Sequence, residues 1–374
     1  MESSPAPTAI ELDRLDLSTA SAIRLRPVGL LTGSTALAAM ASGNALPLAG
    51  GETVFTIVEI LARTPDGIVA ALAPLRRVQL WASEQKESER YQLETQLRRL
   101  SEPRESWAGL SLDRPRVMGI VNVTPDSFYT GNAADPETAI ALGRAMLAAG
   151  ADILDIGGES TRPGAAAVPV EEEMARLEPV IRALANLGAV ISVDTRKAPV
   201  MAAALSWGAS AVNDVSALEG AGSLEIAART GASVVLMHMQ GDPATMQRAP
   251  CYELASLDVA DYLGRRIAIC VEAGIEPHRI VVDPGFGFGK TVAHNLELLN
   301  RLSLLHGLSC GVLVGLSRKS TIGRLSGAPV EARLPGSIAS ALHALSQGAQ
   351  IFRVHDVAET RQAIAVWQGI AAGA

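Results

Sequence analysis

From residue 116 to its C-terminus the chain alternates short apolar runs with longer segments whose apolar positions recur every three or four residues, and the alternation repeats eight times. The apolar runs lie at 117–121, 152–156, 190–193, 209–212, 233–237, 280–282, 312–316 and 350–354. Each is almost continuously apolar, as a strand covered on both faces must be. Between them, segments such as 137–149, 171–187, 254–273 and 337–347 carry the helical period. Eight such units match the size of a (β/α)8 barrel, so the predicted class is α/β, a TIM barrel with a small N-terminal α/β extension. A doubly wound open sheet has the same local pattern, because closure leaves no mark in a sequence.

Residues 1–112 have another texture. Residues 3–7 read as a disordered tip, 53–62 as a strand or short helix, and 83–100 as a polar helix with charges at i, i+4 spacing. Pro103, Gly109 and Pro115 mark 102–115 as a linker. The predicted organisation is an extension over 1–112, which carries no motif and serves packing or dimerisation, followed by a catalytic barrel over 113–374.

Composition narrows the function. Of 374 residues, 48% are hydrophobic, 19% charged and 3% aromatic, which excludes disordered and fibrous classes. A net charge of -7 argues against a nucleic-acid surface, so anionic ligands must be captured locally. Three scattered cysteines, Cys251, Cys270 and Cys310, lack zinc-site or redox spacing. The acidic N-terminus does not read as a signal peptide, and the stretch 30–51 is too interrupted to span a membrane. A cytoplasmic protein is expected, with no membrane or nucleic-acid partner.

In a barrel of this type chemistry sits just after the strands. The eight apolar runs are followed by NVTPDSF (122–128), GGESTRPG (157–164), DTRK (194–197), Asn213 and Asp214, HMQG (238–241), DPGFGFGK (283–290), SRKS (317–320) and RVHD (353–356). Two sub-sites follow from these residue types. Asp194, Asn213 and Asp283 present carboxylates and an amide suited to the donors and acceptors of an aminated heterocycle such as a pterin. Any one of them alone would be read as a helix cap. Arg162, Arg318, Lys319 and Arg353, with Thr161, His355 and backbone amides, suit a diphosphate, although a lone arginine would be read as a surface ion pair.

Other motifs fail. Gly285 to Lys290 is no P-loop, since Pro284 stands where a glycine is needed, and no dinucleotide fingerprint, since Lys290 replaces the third glycine. The six histidines form no zinc pattern; a metal would be magnesium, held mostly by diphosphate and water with an oxygen such as that of Asn122.

Taken in order, NVTPDSF, GADILDIGGESTRPGA, SVDT, LMHMQGDPATMQ, DPGFGFGK, VGLSRKS and QIFRVHDV make residues 116–370 resemble the dihydropteroate synthase family of folate biosynthesis. The resemblance implies condensation of 6-hydroxymethyl-7,8-dihydropterin diphosphate with p-aminobenzoate, giving 7,8-dihydropteroate and diphosphate. It implies Asp194, Asn213, Asp283 and Lys319 around the pterin, with Asp194, Asp283 and Lys319 catalytic. It implies Thr161, Arg353 and His355 on the diphosphate and Asn122 facing Mg2+. Phe128, Thr161, Arg162, Pro163, Phe288, Lys319 and Ser320 would shape the aminobenzoate pocket, where sulfonamides bind. A homodimer packed through barrel helices is also implied. Two departures stand out: Tyr129, Thr130 and Gly131 replace the family's usual Ser-Asp-Gly, leaving Asp126 or Asp135 as the nearest carboxylates, and the family's minimal member lacks the extension. A pterin-binding relative without turnover, or a pterin-dependent methyltransferase, would be the alternatives; the methyltransferase has no use for SRKS and RVHD as diphosphate clamps.

Overall fold

The structure, a computed structural model, describes residues 6–124, 132–133, 135–160, 167–242 and 245–373. The N-terminal part contains β1 (Thr8–Ile10), β2 (Ala22–Leu31), α1 (Gly33–Ala41), β3 (Leu46–Pro47), β4 (Val54–Thr64), β5 (Gly67–Pro74), α2 (Leu75–Ser83) and α3 (Glu87–Ser101). The sheet order is β1-β5-β4-β2, with β3 also on β4 and all pairs antiparallel except β1–β5. The segment expected as strand or helix is thus the central strand β4, whose Val, Phe, Ile and Thr residues favour a pleated surface with neighbours on both sides. The expected polar helix is α3, and it is amphipathic: Leu93, Leu97 and Leu100 are buried. Its Gln96 amide donates to the Ile23 carbonyl at 2.8 Å and accepts from the Leu25 amide at 3.0 Å, fixing α3 on β2.

One face of this sheet encloses its own core around Leu25, Phe55, Val58 and Trp81. On the other, Leu61, Ile68 and Ala70 join the core that surrounds the barrel. Ion pairs ring the junction: Arg24 with Asp261 at 2.9 Å, Arg63 with Asp258 at 2.6 Å and Arg301 with Glu59 at 2.5 Å.

The second sheet is β6 (Arg116–Val123), β7 (Asn132–Ala133), β8 (Ile153–Gly157), β9 (Val190–Asp194), β10 (Ala211–Asp214), β11 (Ser233–Met237), β12 (Ile280–Asp283), β13 (Gly311–Val314) and β14 (Ile351–Val354). All neighbours are parallel, β14 pairs back onto β6, and β7 hangs outside on β6, so eight strands close a barrel and the open-sheet reading is excluded. Around it run α4 (Pro136–Ala148), α5 (Val170–Leu184), α6 (Ala198–Trp207), α7 (Ser223–Thr230), α8 (Ala255–Glu272), α9 (Val292–Asn300), α10 (Ser320–Ser326), α11 (Leu334–Ser346) and α12 (Val357–Ala371). Asp135 is taken up as the N-cap of α4, accepting from the Thr138 amide at 3.0 Å and its hydroxyl at 2.8 Å, so it is not a carboxylate of the first loop.

Strand pleating organises the interior. Side chains two residues apart share a face, and along the inward faces an apolar residue is followed by a polar one: Ile153 then Asp155, Ala211 then Asn213, Val281 then Asp283, Ile351 then Arg353. The lower, apolar members form one cluster with Met118, Val235 and Leu313. Trp107 and Leu112 complete that cluster from below. The 102–115 segment is therefore not a free linker. It turns under the barrel through a Trp107–Leu110 bridge and buries Trp107 fully, with the indole N–H donating to the Arg279 carbonyl at 3.1 Å. A bulky aromatic ring in a barrel floor removes water from the open ends of the strands.

Candidate active site

The polar layer opens at the C-terminal ends of the strands. Arg353 on β14 donates from Nε to Asp155 Oδ2 at 2.6 Å and from Nη2 to Asp194 Oδ2 at 2.6 Å. Asn213 on β10 donates from Nδ2 to the same Asp155 oxygen at 2.9 Å. Asp155, Asp194, Asn213 and Arg353 thus form one network across the barrel, and the cation predicted for the phosphate side is shared with the heterocycle side. Asp155 was not picked out from the sequence. The available signal was a carboxylate inside an otherwise apolar strand, a position where charge is rare unless paired. Its other oxygen, Oδ1, is buried with no hydrogen-bond partner, which leaves an acceptor waiting for a donor.

Asp283 ends β12 and accepts the Gly285 amide at 2.7 Å. Lys319 donates to the Phe286 carbonyl and lies 4.9 Å from the centre of the Phe288 ring. A Cβ on Gly315 would come within 3.9 Å of both Asp283 Oδ2 and Lys319 Nζ, so carboxylate and ammonium flank one gap, kept open by the absence of a side chain. Lys319 is directed there by a strained turn. Arg318 has φ 57, and its amide donates to Ser337 Oγ at 2.8 Å, its Nε to Asp356 Oδ2 at 3.0 Å, while its carbonyl accepts from Arg333 at 3.1 Å. The expectation that Arg318 serves the phosphate group is therefore corrected: its guanidinium forms a fork with the Asp356 carboxylate and holds the turn.

Burial sets the protonation of this layer. It raises Asp194 to about 7 against the pull of Arg353, with Asp155 adding to the rise. Asp283 is likewise raised by burial, opposed by Lys319. Lys319 is lowered to about 8 by burial, with Asp283 opposing. Arg353 would be lowered by burial, but Asp155 and Asp194 outweigh that and hold it above its ordinary value. One acid, Asp194, and one base, Lys319, are thus brought close to neutrality, a feature of sites that work on charge.

His355 follows β14, with Nδ1 3.0 Å from Ser317 Oγ. Asn122 lies next to the C-terminal residue of β6; a Cβ on Gly157 would meet its Oδ1 and the Asp194 Cβ at 3.4 Å each, so both residues flank that glycine. Ser320 begins α10 and is exposed, and Phe288 is half-buried beside Lys319. Phe128, Thr161, Arg162 and Pro163 lie outside the described residues, as do Tyr129 and Thr130 of the altered first loop. Among the described residues no group of three or more His, Cys, Asp or Glu side chains is arranged to hold a metal ion. A cation at this mouth would draw on neutral oxygens such as Asn122 Oδ1 and on its ligand, a donor set that suits magnesium.

Comparison with known proteins identifies the chain's relatives. A family model described as pterin binding enzyme matches residues 118–355. The dihydropteroate synthase of Escherichia coli (strain K12) is 50% identical over 259 residues, which are 69% of this chain and 92% of that protein. The Yersinia pestis dihydropteroate synthase, solved with a sulfonamide drug complex, superposes with a TM-score of 0.69 at 46% identity, covering 72% of this chain and 99% of that one. The Xanthomonas albilineans enzyme, solved with 4-aminobenzoic acid, gives a TM-score of 0.67 at 50% identity, covering 71% and 97%.

Proposed function

The chain belongs to the pterin binding enzyme family, among its dihydropteroate synthases, and from that premise we propose how its own residues carry the reaction. The enzyme condenses 6-hydroxymethyl-7,8-dihydropterin diphosphate with p-aminobenzoate to 7,8-dihydropteroate and diphosphate. The observation that carries the assignment of the pterin pocket is the single polar layer of buried Asp155, Asn213 and Asp283 with half-buried Asp194, and with Asp155 Oδ1 left without a donor. A pterin edge supplies N–H and NH2 groups for those oxygens.

In this reading the C–O bond to the diphosphate breaks first, and the electron pair leaves with the phosphate oxygen. Asp194 and Asp283 stabilise the positive charge left on the pterin, while Arg353, Lys319 and His355 receive the departing anion. The amine of p-aminobenzoate then attacks the activated methylene carbon and releases its surplus proton to solvent. Lys319 lies between ring and leaving group, against the Phe288 face. Phe128, Thr161, Arg162, Pro163, Phe288 and Ser320 form the aminobenzoate pocket, where a sulfonamide would compete. Asn122 would help hold a Mg2+ ion together with water and the substrate, and that ion would supply charge neutralisation to the diphosphate.

We take residues 1–112 as the extension, whose end, with Trp107 and Leu112, reaches under the barrel, and 113–374 as the catalytic unit. The protein works in a reducing cytoplasm, consistent with free Cys251, Cys270 and Cys310, and no described helix is long and apolar enough to cross a membrane. A homodimer through the barrel helices is supported by an apolar groove of Leu334, Ile338, Leu342 and Trp367, between α11 and α12, with Val366 59% and Ile370 74% exposed on its rim.

The deciding assay mixes the purified protein with the pterin diphosphate, p-aminobenzoate and Mg2+ and follows diphosphate and dihydropteroate together. Equal release of both is expected, and chelation of Mg2+ with EDTA should suppress it. Tight pterin binding without product would overturn the assignment. Light scattering on the same sample reports the dimer.

A further inference from the structure

Lys290 is buried at the end of the DPGFGFGK loop and plays no part in the reaction described above. Its Nζ donates to the carbonyls of Gly285 at 2.9 Å and Phe288 at 3.0 Å, and shares a 2.9 Å hydrogen bond with Nδ1 of His238. One nitrogen thus gathers both ends of the loop and the end of β11. Two of these hydrogen bonds are donated to carbonyls and the third is shared with the imidazole, so the nitrogen is fully engaged, while burial holds it well below its ordinary pKa.

The loop has one backbone turn of its own, Phe288 N–H to the Gly285 carbonyl at 3.1 Å, and is otherwise held by side chains. Residues 284–289 form no strand or helix, and their carbonyls face side chains: Tyr252 donates to Gly289 at 2.7 Å, Gln247 to Gly287 at 2.6 Å, and Lys319 to Phe286. The loop also presses on its neighbour so closely that only glycine fits. At Gly285, with φ 68, a Cβ would stand 1.9 Å from the His238 carbonyl oxygen. Burial, foremost, and then Lys290 push His238 down to about 2, so its ring is neutral beside the amine.

The consequence is felt at Phe288 and Lys319. Phe288 carries one of the carbonyls that Lys290 holds, and its ring is the face against which Lys319 Nζ lies. We propose that Lys290 is a positioning residue for the aminobenzoate half of the site: by tying Gly285, Phe288 and His238 to one nitrogen it sets where the Phe288 ring and the Lys319 ammonium stand. The pterin half is anchored mainly from other strands, by Asp155, Asp194 and Asn213 on β8 to β10, and touches the knot only where Asp283 accepts the Gly285 amide. Loss of Lys290 therefore falls more heavily on p-aminobenzoate than on the pterin. This rests on the assignment of Phe288 and Lys319 to the aminobenzoate pocket.

The test uses the full-length enzyme with Lys290→Met, Lys290→Arg and, as a check on the pocket itself, Phe288→Ala. Lys290→Met should raise the KM for p-aminobenzoate at least tenfold, while the Kd of the pterin diphosphate, measured by fluorescence, stays within twofold. Lys290→Arg keeps N–H donors for the two carbonyls and should restore most of the loss. Phe288→Ala should raise the same KM. If Phe288→Ala raises it and neither Lys290 variant does, the inference is overturned and the pocket assignment stands. If Phe288→Ala has no effect, the assignment fails and the inference falls with it. A proportional weakening of pterin binding in Lys290→Met would make Lys290 a general structural residue and also overturn it. Should Lys290→Met fail to fold, Lys290→Gln takes its place: a higher aminobenzoate KM with a far smaller change in pterin Kd supports the proposal, and an unchanged KM refutes it.

Discussion

Asp194 and Arg353 stand 159 residues apart in the chain and meet at 2.6 Å across the barrel mouth. The pair joins the third strand to the eighth, and it governs the charge of the whole site. Arg353 keeps Asp194 from rising as far as burial alone would carry it.

The pH profile follows from that balance. Asp194, raised to about 7, must lose its proton to stabilise a pterin cation, so kcat/KM falls as pH drops through about 7. Lys319, lowered to about 8, must keep its proton, so kcat/KM falls again as pH rises through about 8. Arg353→Gln removes the opposing cation and should move the acid limb upward by about one pH unit or more. A profile with an acid limb unmoved by that substitution would detach Asp194 from the reaction.

Lys319→Ala should lower kcat by about 10²–10³-fold, the loss typical of one stabilising donor in a water-poor site. Steady-state kinetics on a variant with normal thermal unfolding checks this. An unchanged rate would place the ammonium in packing alone.

Asp155→Asn turns an acceptor that faces Arg353 Nε and Asn213 Nδ2 into a group with an N–H of its own. Stability should fall toward the lower end of the roughly 3–5 kcal/mol found when a buried ion pair is broken, because Asp194 still holds Arg353. Pterin affinity should fall with it, as read by urea unfolding and pterin titration in parallel.

Trp107→Ala empties the floor of the barrel, and urea unfolding should show a loss of about 3–5 kcal/mol. The site lies at the opposite end, so kcat per folded molecule should stay within about twofold, since an emptied packing site costs stability where it lies. A large fall in kcat with full stability would contradict the separation of floor and mouth.

Much of the fold was legible because its signals are local. Buried parallel strands must be apolar along their length, and amphipathic helices must show their period, so both alternate visibly from Arg116 onward. The strand-end motifs were legible for the same reason: the residues of each lie side by side in the chain. Trp107 was read as part of a linker because Pro103 and Pro115 dominate local reasoning, although a tryptophan among polar neighbours was itself a sign of burial. Arg318 was read with Lys319 because they are adjacent, whereas the left-handed backbone at Arg318 sends the two side chains to different partners.

The sequence by itself determined the class of fold, the order of its elements and the chemistry carried at each strand end. Only the tertiary structure decided that the sheet closes, that Arg353 bridges Asp155 and Asp194, that Arg318 pairs with Asp356, and that Lys290 knots its loop to His238. The reason is physical. Periodicity and motif spacing express what a residue does toward its chain neighbours, while hydrogen bonds between strand ends depend on which strands lie opposite one another. That is set by barrel closure and burial, and burial in turn fixes which carboxylates and amines stand near neutrality.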